Sequence, residues 1–530
     1  MSQSISGVVS APAGVDTQSV DSPRSYRRRP PWWLITATVV VIGIVSIPLG
    51  YLLLRASELP FGEIVRVLVG PRVGPLALNT LGLSISVTVV AVVLGTAIAA
   101  LITRLRIGAA RTWLLISALP LAVPSYLASY GWLVLVPGLS GFLPSFALLT
   151  AVTIPYVILP VAAALRGTSA DGEAVARTLG MGPVQAFWSV TWPQVRPAAI
   201  AGGLLVFLYS LSDFGLVAML RFQTLTWGIQ QAYAASFDRS QASVLALLLV
   251  VIAVVVVAAE RSVRGQVQRS TAAHLPLENA TLPVRVGALM VIATPPLLGV
   301  VVPLIGLGMR LSEAETLNSI DPARLMTAST NTITVSVISA VLALLLALPI
   351  AALAARYRSR LVAGLESLGY LPNAMPGIVV GLSLVFFGLA VVPGIYQTLI
   401  ILVFAYVVLF MPKALGTARS SIEGVSPELV SVARTLGASP LVAWWRVTVP
   451  LALPGLGIGA LLVAITTMKE LPATLLLRPT GFDTLATELW SRTTAAEFGA
   501  AAPYAAVLVL VAAIPAMILS GVRSVAKEEM

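Results

Sequence analysis

Apolar runs of about twenty residues recur along the whole chain, and that is the length a helix needs to cross the hydrocarbon core of a bilayer. Twelve can be read, at 32–54, 78–102, 112–136, 142–165, 197–218, 241–259, 286–309, 331–354, 367–391, 395–411, 452–468 and 502–522. A lipid environment offers no partner to free backbone groups, so long apolar runs must be helical. The sequence therefore predicts an all-α polytopic membrane protein. Composition agrees, since only 10% of the 530 residues are charged and mean hydropathy is +0.94, whereas soluble domains carry about a quarter charged residues. The runs at 112–136 and 367–391 are interrupted by Pro120, Pro124 and Ser125 and by Pro372, Asn373 and Pro376. Such breaks are tolerated where other helices or a cavity satisfy the freed groups.

The net charge of +11 is unevenly placed. Arg27, Arg28 and Arg29 precede the first run, Arg104, Arg106 and Arg111 follow the second, and Arg356, Arg358 and Arg360 follow the eighth. With the N-terminus in the cytoplasm all three clusters lie inside, as basic loops should, and an even number of spans returns the C-terminus to the same side. Basic residues scattered among short loops beside a lipid membrane do not make a nucleic-acid surface. Residues 1–29 read as a disordered cytoplasmic tail, and the run after the Arg triplet is too long for a cleaved signal. With no Cys and only His274, disulfides, thiolate sites and His clusters are excluded. Neither a metal site nor a catalytic residue is expected.

The segment Ala176-Arg177-Thr178-Leu179-Gly180 returns unchanged as Ala433-Arg434-Thr435-Leu436-Gly437, 257 residues later. The same offset maps Pro155, Pro183, Trp188, Thr191, Pro193 and Pro197 on Pro412, Pro440, Trp445, Thr448, Pro450 and Pro454. Earlier in each half the offset is 252, pairing Asn79-Thr80 with Asn331-Thr332, Pro120 with Pro372 and Pro124 with Pro376. The chain is thus a duplication, and two copies of six spans each must be parallel repeats about an axis along the membrane normal. The expected organisation is a first repeat over 30–260, a cytoplasmic linker over 261–285 and a second repeat over 286–530.

The repeated motif lies in a long segment between the fourth and fifth runs of each copy, about 166–196 and 412–451. Each reads as a short helix, Glu173 to Leu179 or Glu428 to Leu436, stopped at Gly180 or Gly437 by a left-handed residue. A second helix is expected from Pro183 or Pro440, ending before Pro193 or Pro450. Two such elbows suit a soluble partner present in two copies.

With these residues the sequence resembles the permeases of bacterial ATP-binding-cassette importers, whose cytoplasmic EAA loop reads EAA, three residues, Gly, nine residues, Ile, one residue, Leu-Pro. Both loops match at Gly180 and Pro193 and at Gly437 and Pro450, with Val190 and Val447 at the Ile position. They depart at the Glu, where Ala174 and Ser431 stand, the nearest acids being Glu173 and Glu428. The resemblance implies the type I importer permease fold in the bacterial cytoplasmic membrane, and homodimeric ATPase subunits that use ATP and Mg. Those subunits would dock on Glu173, Ala176, Arg177, Thr178, Leu179, Gly180 and Pro193, and on Glu428, Ala433, Arg434, Thr435, Leu436, Gly437 and Pro450. It also implies an extracytoplasmic solute-binding protein that delivers the cargo. None of Lys413, Lys469 and Lys527 follows a phosphate-cradling Gly-rich run, so this chain is expected to hold no cofactor and to be a transport subunit rather than an enzyme.

Charges at a membrane edge are expensive and point to function. Offset 257 pairs Asp213 with Glu470 and Arg221 with Arg478, beside Lys469. These charges, with Asp483 and Glu488, are candidates for a translocation pathway; the alternative is mutual pairing, Asp213 with Arg221 and Glu470 with Lys469 or Arg478. The stretches 212–226 and 469–490 resemble the iron(III) branch of these permeases, whose members are similarly fused. Oxygen donors suit that hard cation, and Glu497 adds another carboxylate. Thiamine, phosphonate, sulfate or polyamine is the alternative cargo, and an ion-gradient transporter or a non-transporting scaffold the competing class. Gly202, Gly203, Gly455, Gly457 and Gly459, at the starts of the fifth and eleventh runs, are expected either to slide near an inner gate or simply to pack spans closely.

Overall fold

A computed structural model describes residues 30–168, 170–234, 239–263, 281–318 and 320–528. The expected tail and most of the expected linker lie outside the described residues. Those described form helices and connecting turns, with no strand among them. Every one of the twelve apolar runs is met by helix. Eight are single helices long and apolar enough to cross a membrane, two are bent pairs, Trp32–Val45 with Ile47–Ser57 and Ala110–Ala122 with Ser125–Leu135, and two are the shorter helices Gly377–Ala390 and Phe498–Ile514. The breaks come where proline demanded them. Both repeats turn through a 3-10 segment, Leu119–Ala122 and Leu371–Ala374, before restarting after Pro124 and Pro376, because proline removes a donor and disfavours helix at the residue before it.

Two expectations are corrected. The second helix of each elbow does not end before Pro193 or Pro450 but continues into the next span, as Val184–Ser212 and Pro440–Met468. It passes through a π-helical turn, Phe187–Thr191 or Trp444–Thr448, in which the N–H of Trp192 donates to Phe187 O and that of Val449 to Trp444 O, five residues back. The wider turn accommodates the next residue, a proline, which would otherwise collide with the carbonyl four residues before it. A third π turn, Leu297–Val301, precedes Pro303 in the same way. The second correction concerns the fifth run, whose helix stops at Ser212 rather than near 218, Asp213 and Phe214 separating it from the short helix Gly215–Met219.

The duplicated Asn-Thr pair is a stitch between distant segments. The amide of Leu225 donates to Thr80 Oγ1 (2.8 Å) and Asn79 Nδ2 to Gln223 O (2.9 Å); in the second repeat Leu485 N donates to Thr332 Oγ1 (2.9 Å) and Asn331 Nδ2 to Asp483 O (2.9 Å). Each pair fixes the segment that follows the fifth or eleventh span against the long helix, Val73–Arg104 or Pro322–Arg356.

The halves are interlocked by their first spans. The opening pair of the first repeat packs on the second repeat, where Ser383 Oγ donates to Pro48 O and Tyr51 meets Phe387 at 5.5 Å. Reciprocally, helix Leu282–Leu311 of the second repeat lies on the first, where Trp132 Nε1 donates to Leu298 O (2.9 Å). That crossing is close: a Cβ on Gly131 would collide with the backbone of Pro303, and one on Gly306 with Gly131 O. The Gly-rich span starts pack within their own halves, Gly202 on the backbone of Tyr156 and Val157, Gly455 on Ser421 and Gly459 on Thr417.

Candidate functional site

Each elbow is closed by the same backbone device. Gly180 and Gly437 have φ +87° and +88°, a left-handed geometry that glycine adopts without strain. Gly180 N donates to Arg177 O (3.0 Å) and Met181 N to Ala176 O (3.1 Å), and the second elbow repeats this with Gly437 to Arg434 O and Ala438 to Ala433 O. These paired bonds end helices Ala170–Thr178 and Pro427–Thr435 with their last carbonyls satisfied. Beyond them the chain reverses and enters the long span helix, so the second helix of each elbow and the span are continuous.

Apolar side chains stand exposed at matching positions of the two elbows. Val175, Leu179, Val184 and Trp188 correspond through offset 257 to Val432, Leu436, Leu441 and Trp445. Leu179 is 75% exposed and Leu436 83%. Exposed apolar patches of this kind mark interaction surfaces, for protein or for membrane. Arg177, Thr178 and Pro193, with Arg434, Thr435 and Pro450, are exposed beside them, whereas Ala176 is buried. Glu428 is exposed, and the Ser426 hydroxyl holds its carboxyl below the ordinary range.

Glu173 faces inward. Its side chain is 3% exposed, bonded by Arg104 (2.8 Å), by Thr191 Oγ1 (2.8 Å) and more distantly by Arg177 (3.9 Å). The expected outward contact through Glu173 gives way to an internal clamp that ties the elbow to the second span. In the second half the matching positions are Arg356, Val430 and Thr448, so the acid is missing. Arg356 Nη2 is accordingly buried without a partner.

Between the halves lies a cavity of about 320 Å³, walled by the broken spans and the ends of the fifth and eleventh helices. Asp213, Lys469 and Glu470 line it, and so do Lys413, Tyr126, Tyr156 and Tyr209. Asp213 ends its span by accepting from Ser125 Oγ (2.5 Å) and from the amides of Leu216 (3.1 Å) and Val217 (3.4 Å). Glu470 accepts from Ala473 N (3.1 Å), capping the helix Pro472–Leu477 in the same manner. Where the first half has Ser125 beside Asp213, the second has Gly377 beside Glu470, and a Cβ on Gly377 would collide with Glu470 Oε1. The longer acid occupies the room that the missing side chain leaves. Lys469 Nζ crosses the interface to donate to Leu121 O (2.9 Å).

The family described as the inner membrane component of binding-protein-dependent transport systems matches residues 91–269 and 347–523, once in each half. The chain belongs to this family. Its relatives include the Fe(3+)-transport system permease protein FbpB 2 of Haemophilus influenzae, 35% identical over 503 residues, 93% of this chain and 98% of that one. The molybdenum transport system permease protein ModB of Mycobacterium tuberculosis is 31% identical over 248 residues, 43% of this chain and 92% of that one. The sulfate transport system permease protein CysT of Salmonella typhimurium is 28% identical over 200 residues, 35% of this chain and 72% of that one. The protein is thus a multi-pass membrane permease of the importer class, built from a duplicated unit.

Within this permease the remaining candidate charges stand apart from the cavity lining. Arg478 pairs with Asp483, and Glu488, buried, is held by Arg324 (2.6 Å) and Arg492 (3.2 Å), with Glu497 joining Arg492 at 3.4 Å. Arg221 is exposed and occupies a left-handed turn at φ +53°. The alternative pairing of Asp213 with Arg221, or of Glu470 with Lys469 or Arg478, is not what the structure has, because serine and backbone amides take the two acids. Sequence reading passed over Lys413 and the cavity tyrosines. For Lys413 and Tyr156 the signal was their matching position, one residue after Pro412 and Pro155.

Proposed function

We propose that the permease imports iron(III) across the cytoplasmic membrane, as the translocation subunit of an ATP-binding-cassette importer. One observation carries the cargo assignment: the iron(III) relative aligns across nearly the whole duplicated chain, while the molybdenum and sulfate relatives align over less than half of it. In this reading both termini are cytoplasmic, and a homodimer of ATPase subunits seats on the twin exposed patches around Leu179 and Leu436. Arg177, Thr178, Gly180 and Pro193, with Glu428, Arg434, Thr435, Gly437 and Pro450, frame the seats. ATP-driven closure of the dimer draws the elbows together. Because the second helix of the elbow continues into the span, the 29 residues of Val184–Ser212 make a lever of roughly 43 Å at 1.5 Å per residue. Its far end is Asp213, at the cavity. Cargo arrives from an extracytoplasmic binding protein, and ATP with Mg is bound by the partner.

A second reading, import of a free oxyanion, draws on the two lysines of the cavity wall. The deciding experiment is reconstitution of the permease in proteoliposomes with the ATPase subunit and solute-binding protein that co-purify with it. ATP-dependent uptake of 55Fe is expected. Uptake of molybdate or sulfate without iron would transfer the cargo assignment to the second reading, and vigorous uptake by the permease alone on an ion gradient would remove the ATPase from the mechanism.

A further inference from the structure

The cavity walls differ in charge although the halves are repeats. At the positions where the first half places Tyr156 and Ser212, the second places Lys413 and Lys469, and all four line the cavity. Two of the three lysines in the whole chain are therefore on one wall of one cavity. A homodimeric permease could not be built this way; a fused chain lets its halves diverge.

Asp213 is committed to structure, and Glu470 is in part. Asp213 accepts three hydrogen bonds, from Ser125 and two amides, and one oxygen of Glu470 is taken by Ala473 and walled by Gly377. The amines are not so spent. An ammonium has three N–H donors; Lys469 uses one on Leu121 O, and Lys413 is exposed to the cavity with its ammonium 5.0 Å from the Phe410 ring. Among the described residues no ion pair joins either lysine to a carboxylate. Tyr126, also in the lining, has a buried hydroxyl without a partner. Unused ammonium donors favour ligands that present anionic oxygens, and the two lysines repel a bare trivalent cation, while Asp213 and Glu470 beside them already accept from Ser125 and backbone amides.

We infer that Lys413 and Lys469 select cargo bearing anionic oxygens, so that iron(III) crosses together with its oxyanion ligands rather than as a naked cation. The inference rests on the importer reading above and adds the chemical class of what passes. The test uses the complete transporter in proteoliposomes, with 55Fe supplied as its citrate or phosphate complex, the anion carrying 14C or 33P, and with 35S-sulfate and 99Mo-molybdate as free oxyanions. Anion label should enter with iron. Lys413→Gln should cut the initial uptake rate about tenfold, the loss of one charge-assisted contact, and Lys413→Arg should retain most of it. ATPase stimulation by loaded binding protein should stay within about twofold in both variants, which separates a selection defect from a folding or docking defect.

Iron entering without anion label, or Lys413→Gln transporting at the normal rate, would overturn the inference while leaving the iron reading intact. Loss of uptake in Lys413→Arg as severe as in Lys413→Gln, with stimulation lost too, would likewise overturn it by making Lys413 structural. Free sulfate or molybdate uptake that is sensitive to Lys413→Gln, with no iron uptake, would uphold anion selection and refute iron as cargo.

Discussion

Glu173 shows how a single side chain can serve one repeat and be absent from the other. Its carboxylate neutralises Arg104 in a largely buried setting, and removing one partner of such a pair leaves an uncompensated charge at a cost of about 3 kcal/mol. Glu173→Gln should therefore loosen the first elbow, read as faster hydrogen exchange over 170–193, with little change over 427–450. The converse holds at Val430, where a glutamate would meet Arg356, whose Nη2 lacks a partner. Val430→Glu should add about 1 kcal/mol of local protection to the second elbow; unchanged exchange there would show that Arg356 points elsewhere. At the cavity, Gly377→Ser alone should destabilise by about 1–3 kcal/mol through collision with Glu470. Paired with Glu470→Asp it recreates the Ser125–Asp213 arrangement, and thermal unfolding in detergent should recover, a coupling of about 1–2 kcal/mol.

The repeated motif makes sense only at the scale of the helix-turn-helix element. Gly180 and Gly437 supply the left-handed turn, and a leucine at either must strain the backbone by about 1 kcal/mol and re-aim the apolar patch. Gly180→Leu with Gly437→Leu should abolish co-purification with the ATPase. Trp188→Asp with Trp445→Asp should do the same with only a modest loss of thermal stability, since both residues are more than half exposed although Trp188 packs edge-on against Phe187 and Trp192; persistence of the complex would refute docking through these patches. The turn glycines were legible because the carbonyls ending a helix have few other ways to be satisfied. The continuity of elbow and span was not. Pro193 and Pro450 look like stops in sequence, and it takes the preceding π turn, which no residue type announces, to carry the helix past them.

Over the whole molecule, the interlock of the first span of each repeat with the opposite repeat should let the halves associate without a covalent link. Halves expressed separately, cut within 264–280, should co-purify in detergent, and deletion of 30–57 should weaken that association; halves that separate freely would show that the contacts of Pro48, Tyr51 and Trp132 with the opposite repeat are too weak to hold it. Apolar run length was sufficient to read the helical class and the twelve runs, because lipid removes every alternative to backbone self-satisfaction, and the offsets of 252 and 257 were sufficient to read the duplication. Which charges share a cavity was beyond that reading. Asp213, Lys469 and Glu470 meet Lys413 from another span across a bundle interface, while Arg478, Asp483 and Glu488, close in sequence, are drawn into an ion-pair network with Arg324 and Arg492 instead. Local pattern specifies what each segment must be, since it depends on solvent and chain chemistry alone. Partners for a buried charge depend on which helices cross, and only the packed structure decides that.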